Sequence, residues 1–164
     1  MRYIYANYLN DFDWFFKVDD DSYVVVENMR KLLNRYNSTD HHYFGYKWEH
    51  ELWTGFHSGG AGYVLSRTTF KLLVDSLSNR NVCAEGWAED VEVGRCLHNL
   101  GINPEVVKEN GTNLFFPVHV TEYKMMGKVE EEKVNSNLIS MHYLNPKEMR
   151  LIDFFIYRFR LEPT

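Results

Sequence analysis

The sequence has no excess of basic residues and no composition that would prevent folding. It carries 18 Lys and Arg against 23 Asp and Glu among its 164 residues, a formal net charge of −5. Nucleic-acid binding requires many basic side chains to neutralise phosphates, so this balance argues against a nucleic-acid partner. Charged residues make up 25% of the chain and hydrophobic residues 45%. These proportions exclude a disordered, collagen-like or coiled-coil protein.

Long apolar runs are also absent. A membrane-spanning helix needs about 18 consecutive apolar residues, and the best runs here, at residues 23–26 and 114–118, are far shorter. Residues 1–7 lack the apolar core and the small-residue cleavage site of a signal peptide. The sequence as given therefore predicts neither a bilayer span nor a targeting signal. Its length is that of one domain with a sizeable core.

Cysteine is scarce, since Cys83 and Cys96 are the only two in the sequence. The sequence alone favours a disulfide and a pair of free buried thiols about equally. Two N-glycosylation sequons, which begin at Asn37 and Asn110, lie among turn-forming residues. An even number of cysteines together with two sequons modestly favours an oxidising secretory lumen.

The order of the apolar patterns predicts an α/β fold. Residues 14–18 form a dense aromatic and β-branched run, which is typical of a buried strand, and three aspartates follow it. Apolar residues at helical spacing predict the helices, and clustered apolar residues predict the other strands. The predicted helices are residues 2–10, 27–36, 68–77, 89–100 and 147–159, and the predicted strands are residues 14–18, 42–48 and 62–66.

The triplet Asp19, Asp20 and Asp21 is the sharpest chemical feature of the sequence. In an extended chain, residues i and i+2 share a face, so Asp19 and Asp21 are predicted to point together and Asp20 to point away. Two carboxylates on one side suit Mn²⁺ or Mg²⁺ with open positions for phosphate oxygens. A solvated acidic turn or a helix N-cap is the alternative. The end of a buried strand, however, is where open α/β sheets bind ligands.

Three other features could contribute to a site. The small-residue loop at residues 58–63 would let a ligand approach the backbone, although a tight turn explains it equally well. Glu89 and Asp90 begin a predicted helix, where capping is a sufficient account and a general base at Asp90 is the alternative. His142 stands alone in an apolar strand, where histidine is more often a core residue than a ligand. The sequence has no zinc-ligand spacing, P-loop, dinucleotide motif or nucleophile elbow.

The order of these motifs is more informative than any one of them. Along the chain they read WFFKVDDDSYV (14–24), YFG (43–45), SGGAGYVLS (58–66), EDVEVGRC (89–96) and SMHY (140–143). This order strongly resembles the β1,3-glycosyltransferases related to Fringe, and within that group the core 1 β1,3-galactosyltransferases, or T-synthases. The resemblance covers nearly the whole chain, from about Tyr3 to the C-terminus.

The resemblance implies a GT-A glycosyltransferase fold, with a mixed sheet flanked by helices. Members of the group have a cytosolic tail, a membrane anchor, a stem and nucleotide-binding strands before the acidic motif, whereas only 18 residues precede Asp19 here. Residues 1–164 are therefore expected to be the C-terminal portion of a single catalytic domain whose N-terminal nucleotide-binding strands are missing. A Golgi-lumenal location, a type II membrane anchor outside this chain and a homodimer are further expectations from the resemblance.

The resemblance also implies roles for individual residues. Asp19 and Asp21 match the acidic motif that binds Mn²⁺ and the nucleotide sugar, with Asp21 the direct ligand and Asp19 nearer the ribose and sugar of the donor. His142 matches the late metal-binding histidine of the family. Asp90 matches the catalytic base, and Glu89 is its neighbour. Four further residues are implied to contact the donor: Asp20, Gly59, Gly60 and Ala61. Three aromatic residues are candidates for stacking on the acceptor sugar, with core packing as the alternative: Trp53, Phe56 and Trp87. The resemblance also implies a disulfide between Cys83 and Cys96.

The activity implied is an inverting, Mn²⁺-dependent transfer of galactose from UDP-galactose, in β1,3 linkage, to GalNAc on serine or threonine of glycoproteins. A Fringe-like or other β1,3-glycosyltransferase is the alternative within the enzyme class. An inactive fragment or a chaperone-like relative is the alternative outside it. Intact Asp19, Asp21, Asp90 and His142 argue against a chaperone, which needs neither metal ligands nor a base.

Overall fold

The computed structural model of the protein describes residues 1–50, 53–119 and 136–159; the side chains of residues 50, 53 and 54 lie outside the described part. The strands are β1 (Trp14–Lys17), β2 (Tyr23–Val24), β3 (Tyr43–Gly45), β4 (Lys47–His50), β5 (Trp53–His57), β6 (Tyr63–Ser66), β7 (Glu105–Val106), β8 (Lys108–Glu109), β9 (Thr112–Asn113), β10 (Phe115–Phe116) and β11 (Ser140–Met141). The helices are α1 (Arg2–Tyr8), α2 (Val26–Leu33), α3 (Arg67–Ser76), α4 (Glu89–Asn99) and α5 (Pro146–Tyr157).

A four-stranded sheet with the strand order β1-β6-β3-β7 lies at the centre of the fold. Strand β6 pairs antiparallel with both β1 and β3, whereas β7 pairs parallel with β3. A second sheet has the order β10-β11-β2, in which β11 is parallel to β10 and antiparallel to β2. Two-stranded pairs, β4 with β5 and β8 with β9, complete the strands. The predicted mixed α/β architecture is therefore confirmed.

The central sheet is covered on both faces. Because successive residues of a strand point to opposite faces, Tyr43 and Phe44 enter different apolar clusters. Tyr43 joins Leu65 and the apolar sides of α3 and α4, whereas Phe44 joins Val64, α2 and the second sheet. Full burial of one such side chain contributes about 1.5–3 kcal/mol. The two clusters therefore fix the positions of α4 and of the second sheet relative to β1 and β6.

Capping residues stabilise the N-termini of α3 and α5. Ser66 caps α3, because its Oγ accepts a hydrogen bond from the Thr69 N–H at 3.3 Å. Helix α5 begins with a capping box in which Asn145 and Glu148 each bond the other's backbone N–H. Pro146 stands at the first position of α5, where its missing N–H costs nothing.

A disulfide joins Cys83 to Cys96, with a Cα–Cα distance of 4.5 Å. Both residues are buried, and the bond fastens the segment before α4 to the middle of that helix. The pairing expected from the family resemblance is thus confirmed, and the alternative of two free thiols is wrong. Among the described residues, no helix combines the length and the apolar character that a membrane span needs.

One strand prediction was wrong, and one strand was not predicted. The strand predicted over residues 42–48 is interrupted at Tyr46, because β4 leaves the central sheet to pair with β5. Strand β5 itself was not predicted, and Gly55 within it has φ of +91°, so its backbone departs from regular extended geometry. Helix α2 also ends at Leu33, three residues before its predicted end.

Candidate active site

The acidic triplet forms a turn after β1. The Ser22 N–H donates to the Asp19 carbonyl at 3.3 Å, which closes a turn over Asp20 and Asp21. The prediction of an extended segment is therefore wrong, because the chain bends here between β1 of the central sheet and β2 of the second sheet. The turn nevertheless brings Asp19 and Asp21 together with His142, with ligand atoms that all lie within 4.8 Å of one another. Asp20 is exposed at the turn.

The His142 imidazole is held with one nitrogen towards the acidic turn. Its Nδ1 lies 2.9 Å from the Pro117 carbonyl oxygen. Since a carbonyl oxygen can only accept a hydrogen bond, Nδ1 is the protonated nitrogen. A backbone carbonyl in this position is the support that metal-ligating histidines commonly have. The ring is nearly buried, with 9% of the side chain exposed.

The other imidazole nitrogen faces a carboxylate. His142 Nε2 lies 3.1 Å from Asp21 Oδ1, and that oxygen is buried with no hydrogen-bond partner in the described part of the chain. In the neutral imidazole, two electron-rich atoms would thus face each other, and a shared cation would satisfy both. Imidazole and carboxylate together suit Mn²⁺. The residues present therefore fit a divalent metal ion, which Asp21 and His142 would hold with Asp19 beside them.

The glycine loop, residues 58–62, packs against this cluster. A Cβ on Gly60 would lie 1.9 Å from His142 Cε1, so only glycine leaves room for the imidazole. The Gly60 carbonyl accepts from Ser22 Oγ at 2.6 Å, and the Ala61 carbonyl accepts from Ser140 Oγ at 2.5 Å. The loop is therefore fastened to both the acidic turn and β11. Ala61 itself is fully buried in the core.

Asp90 contacts the same loop one residue earlier, at Gly59. Its Oδ2 accepts from the Gly59 N–H at 2.9 Å, and its Oδ1 accepts from the Val91 N–H at 2.8 Å. A Cβ on Gly59 would lie 3.1 Å from Asp90 Cβ. Capping of α4 does not account for this arrangement, because the bond to Gly59 leaves the helix. The sequence predicted room for a ligand beside Gly59 and Gly60, and Asp90 and His142 take up part of it.

Glu89 is engaged at both carboxylate oxygens. Its Oε1 accepts from the Tyr63 hydroxyl at 2.5 Å, and its Oε2 lies 3.6 Å from Lys17 Nζ. Burial, and then the negative charge of Glu89, raise the pKa of Tyr63 far above its usual value. Tyr63 therefore stays a hydrogen-bond donor to Glu89 over the whole physiological range. These contacts suit Glu89 to anchoring the start of α4.

Lys17 is a site residue that the sequence analysis missed. Its Nζ lies 2.6 Å from Asp19 Oδ1 and 3.2 Å from the Gly59 carbonyl oxygen. Burial alone would lower the pKa of Lys17, but Asp19 and Glu89 outweigh it and raise the pKa above its usual value. The signal in the sequence was a single cation at the end of an aromatic run, two residues before Asp19.

The three aromatic candidates for the acceptor site differ in their surroundings. Trp87 is 94% exposed and stands three residues before Asp90, so core packing does not explain it. Phe56 is half-buried on β5, opposite Trp48 of β4. Trp53 begins β5, but its side chain lies outside the described part.

Both glycosylation sequons lie in exposed turns. Asn37 is exposed, and its Oδ1 accepts from the Thr39 N–H at 3.1 Å. Asn110 is exposed between β8 and β9 with φ of +51°. Neither asparagine is sterically shielded, and the attachment of a glycan to either remains a prediction.

Comparison with known proteins bears on this arrangement. A family model described as Fringe-like matches residues 1–136. The chain is 33% identical over 178 aligned residues to glycoprotein-N-acetylgalactosamine 3-β-galactosyltransferase 1 of Xenopus laevis, an alignment that covers 97% of this chain and 49% of the frog protein. It is 25% identical over 171 residues to human chondroitin sulfate synthase 3, with 98% of this chain and 19% of that protein covered.

A mouse β-1,3-glucosyltransferase is 31% identical over 96 residues, which cover 57% of this chain and 19% of the mouse protein. The chain thus spans about half the length of the frog relative and about a fifth of the other two. The family match extends over the acidic turn, the glycine loop and the start of α4. The chain belongs to the Fringe-like family, and within it is similar to the core 1 β1,3-galactosyltransferases.

Proposed function

We propose that the protein is an inverting, Mn²⁺-dependent glycosyltransferase that transfers galactose from UDP-galactose, in β1,3 linkage, to GalNAc on serine or threonine of glycoproteins. One observation carries this function. Two successive residues of the glycine loop contact different groups: Gly60 borders His142 of the Asp19–Asp21–His142 cluster, and the Gly59 N–H donates to the Asp90 carboxylate. A metal centre for a diphosphate and a base for a hydroxyl would thus lie beside adjacent residues of one loop. Similarity to the frog galactosyltransferase supports the choice of sugars.

We further propose that the fold is GT-A and that residues 1–164 form the C-terminal portion of one catalytic domain. The nucleotide-binding strands and the membrane anchor would then belong to another part of the protein. The catalytic domain would lie in the Golgi lumen. The mixed central sheet, with the acidic turn at the end of β1, supports the fold assignment.

The metal site and the base have separate roles in the proposed reaction. A metal ion held by Asp21 and His142 would supply positive charge to the diphosphate leaving group. Asp90 takes the proton of the acceptor 3-hydroxyl while the oxygen of that hydroxyl forms a bond to the anomeric carbon of the donor sugar. The bond from the anomeric carbon to the diphosphate breaks on the opposite face. Inversion follows from this single displacement, without a covalent enzyme intermediate. Hydrogen bonds from Gly59 and Val91 fix the orientation of Asp90 and leave it further lone pairs for the proton.

Glu89 and Trp87 have supporting roles in this mechanism. Both oxygens of Glu89 are occupied by Tyr63 and Lys17, so Glu89 positions α4 while Asp90 acts as the base. The exposed indole of Trp87 lies near the base along the chain and offers a flat apolar face on which an acceptor sugar would stack.

A β1,3-transferase with another donor sugar is the second candidate. The chain is also similar to a β-1,3-glucosyltransferase, and a metal cluster with a base would serve any UDP-sugar. The full-length protein should therefore be screened with UDP-galactose, UDP-glucose and UDP-N-acetylhexosamines against a GalNAc-peptide. We expect galactose transfer that EDTA abolishes, with a β1,3 product by NMR. Transfer from another donor alone would favour the second candidate, and no transfer from any donor would overturn the enzyme assignment.

A further inference from the structure

Lys17 joins three separate segments of the site. Its ammonium group lies 2.6 Å from Asp19 Oδ1 in the acidic turn, 3.2 Å from the Gly59 carbonyl in the glycine loop and 3.6 Å from Glu89 Oε2 at the start of α4. The first two contacts are hydrogen bonds, whereas the third is too long for a hydrogen bond and is an ion pair. Each of the three segments thus places one oxygen atom near the same cation.

The strand register places Lys17 where it can reach Glu89. Lys17 of β1 pairs directly with Tyr63 of β6. The Tyr63 hydroxyl donates to Oε1 of Glu89 while the Lys17 ammonium faces Oε2. Tyr63 is 1% exposed, so its ring is fixed by the core. One cross-strand pair therefore sets the position of the first residue of α4, and Asp90 is the next residue.

Lys17 also lies close to Asp90 across Gly59. A Cβ on Gly59 would stand 2.9 Å from Lys17 Nζ and 3.3 Å from Asp90 Oδ2. The ammonium group and the carboxylate therefore both lie next to the Cα of Gly59. Gly59 donates its N–H to Asp90 and offers its carbonyl to Lys17. The ammonium and the base carboxylate are thus coupled through one residue.

We propose that Lys17 is a positioning residue that links Asp19 to the first turn of α4 and limits the part of Asp19 in metal binding. The short ion pair occupies Asp19 Oδ1, and the positive charge of Lys17 opposes a second cation nearby. Asp21 and His142 then remain as the main metal ligands, and Asp19 is left towards the donor sugar. The effect on turnover rests on the proposed function, whereas the effect on metal affinity does not.

A purely structural ion pair is the competing explanation, and the chain offers a matched control. Lys71 forms an ion pair of the same 2.6 Å length with Asp75, four residues further along α3 on the surface. Lys17→Met and Lys71→Met thus remove the same charge from pairs of equal length. A structural role for Lys17 predicts lower thermal stability and an unchanged or weaker affinity for Mn²⁺.

The test measures Mn²⁺ binding to the full-length protein by the EPR signal of the free ion, together with kcat, KM and the melting temperature. For Lys17→Met we expect Mn²⁺ to bind about three- to tenfold more tightly, because a nearby like charge is removed and Asp19 is freed. We also expect kcat to fall about 10- to 100-fold, with a smaller change in the donor KM, because the base loses its alignment. Lys71→Met should match the wild type in both respects.

Mn²⁺ affinity and kcat equal to those of Lys71→Met would overturn the role of Lys17, and so would weaker Mn²⁺ binding. If Lys17→Met does not fold, Lys17→Gln keeps a hydrogen-bond donor without the charge, and the same results are expected of it. If the wild-type protein transfers no sugar but Lys17→Met still binds Mn²⁺ more tightly than the wild type, the role of Lys17 at the metal site is supported. Only the proposed function would then be overturned.

Discussion

His142 Nε2 lies 3.1 Å from a buried oxygen of Asp21, while the opposite nitrogen of the imidazole donates to the Pro117 carbonyl. This relationship joins the segment after β11 to the turn after β1, across 121 positions of sequence. It leaves a lone pair of each residue directed at a shared position. The pair is the structural basis for expecting a divalent ion here.

Substitution of Asp21 should weaken metal binding selectively. In Asp21→Asn, the loss of the anionic ligand should reduce Mn²⁺ affinity about 10- to 100-fold, measured by EPR of free Mn²⁺. Asp11→Asn makes the same change at an exposed turn before β1, outside the Asp19–Asp21–His142 cluster, and should bind Mn²⁺ as the wild type does. Equal affinities in the two variants would exclude Asp21 as a ligand.

The close contact between Gly60 and His142 makes a second prediction. Gly60→Ala would place a methyl group 1.9 Å from His142 Cε1, so we expect a loss of about 1–3 kcal/mol in the free energy of unfolding. The same substitution in a His142→Ala background should cost much less, because the imidazole is gone. Chemical denaturation of the four proteins gives the coupling energy directly. Additive losses would mean that Gly60 does not make room for His142.

The buried His57, which directly precedes the glycine loop, predicts a pH dependence of stability. Burial lowers the pKa of His57 to about 4, and its Nε2 donates to the Tyr43 carbonyl at 2.9 Å. The unfolded chain takes up this proton near pH 6.5, whereas the folded protein takes it up only near pH 4. The contribution to stability is thus present above pH 6.5 and is lost as the pH falls towards 4.

This loss should amount to about 3 kcal/mol, measured as the free energy of unfolding at a series of pH values. His57→Gln keeps a donor for Tyr43 but has no titrating group, and it should lack this part of the acid dependence. Parallel pH profiles for the wild type and the variant would contradict a neutral buried imidazole.

The regular elements were predictable because their signals are local. Helices α2, α3 and α4 have apolar residues at helical spacing, and β1 is a dense aromatic run, which is typical of a buried strand. Strand β5 was missed because Gly55 interrupts the alternation that identifies a half-buried strand. Its pairing with β4 depends on the chain leaving the central sheet at Tyr46, and no local sequence pattern predicts this.

The residues of the site were predictable mainly through the resemblance to a family. By pattern alone His142 was expected to be a core residue, since nothing in its neighbours indicates that Asp21 lies beside it. The contacts of Lys17 reach residues up to 72 positions away in the sequence, so neither composition nor a local pattern predicts them. The turn at Asp20 and Asp21 likewise results from the passage of the chain between two sheets, whereas the spacing of the aspartates suggested extended backbone.

The central claim is that Asp90 is the base of a metal-assisted sugar transfer. It is tested most directly by the single-turnover rate of galactose transfer to a GalNAc-peptide by full-length Asp90→Asn, with Mn²⁺ and UDP affinities measured on the same protein. We predict a rate about 10²- to 10⁴-fold below that of the wild type, with both affinities and the melting temperature retained. A wild-type rate in this variant would contradict the mechanism.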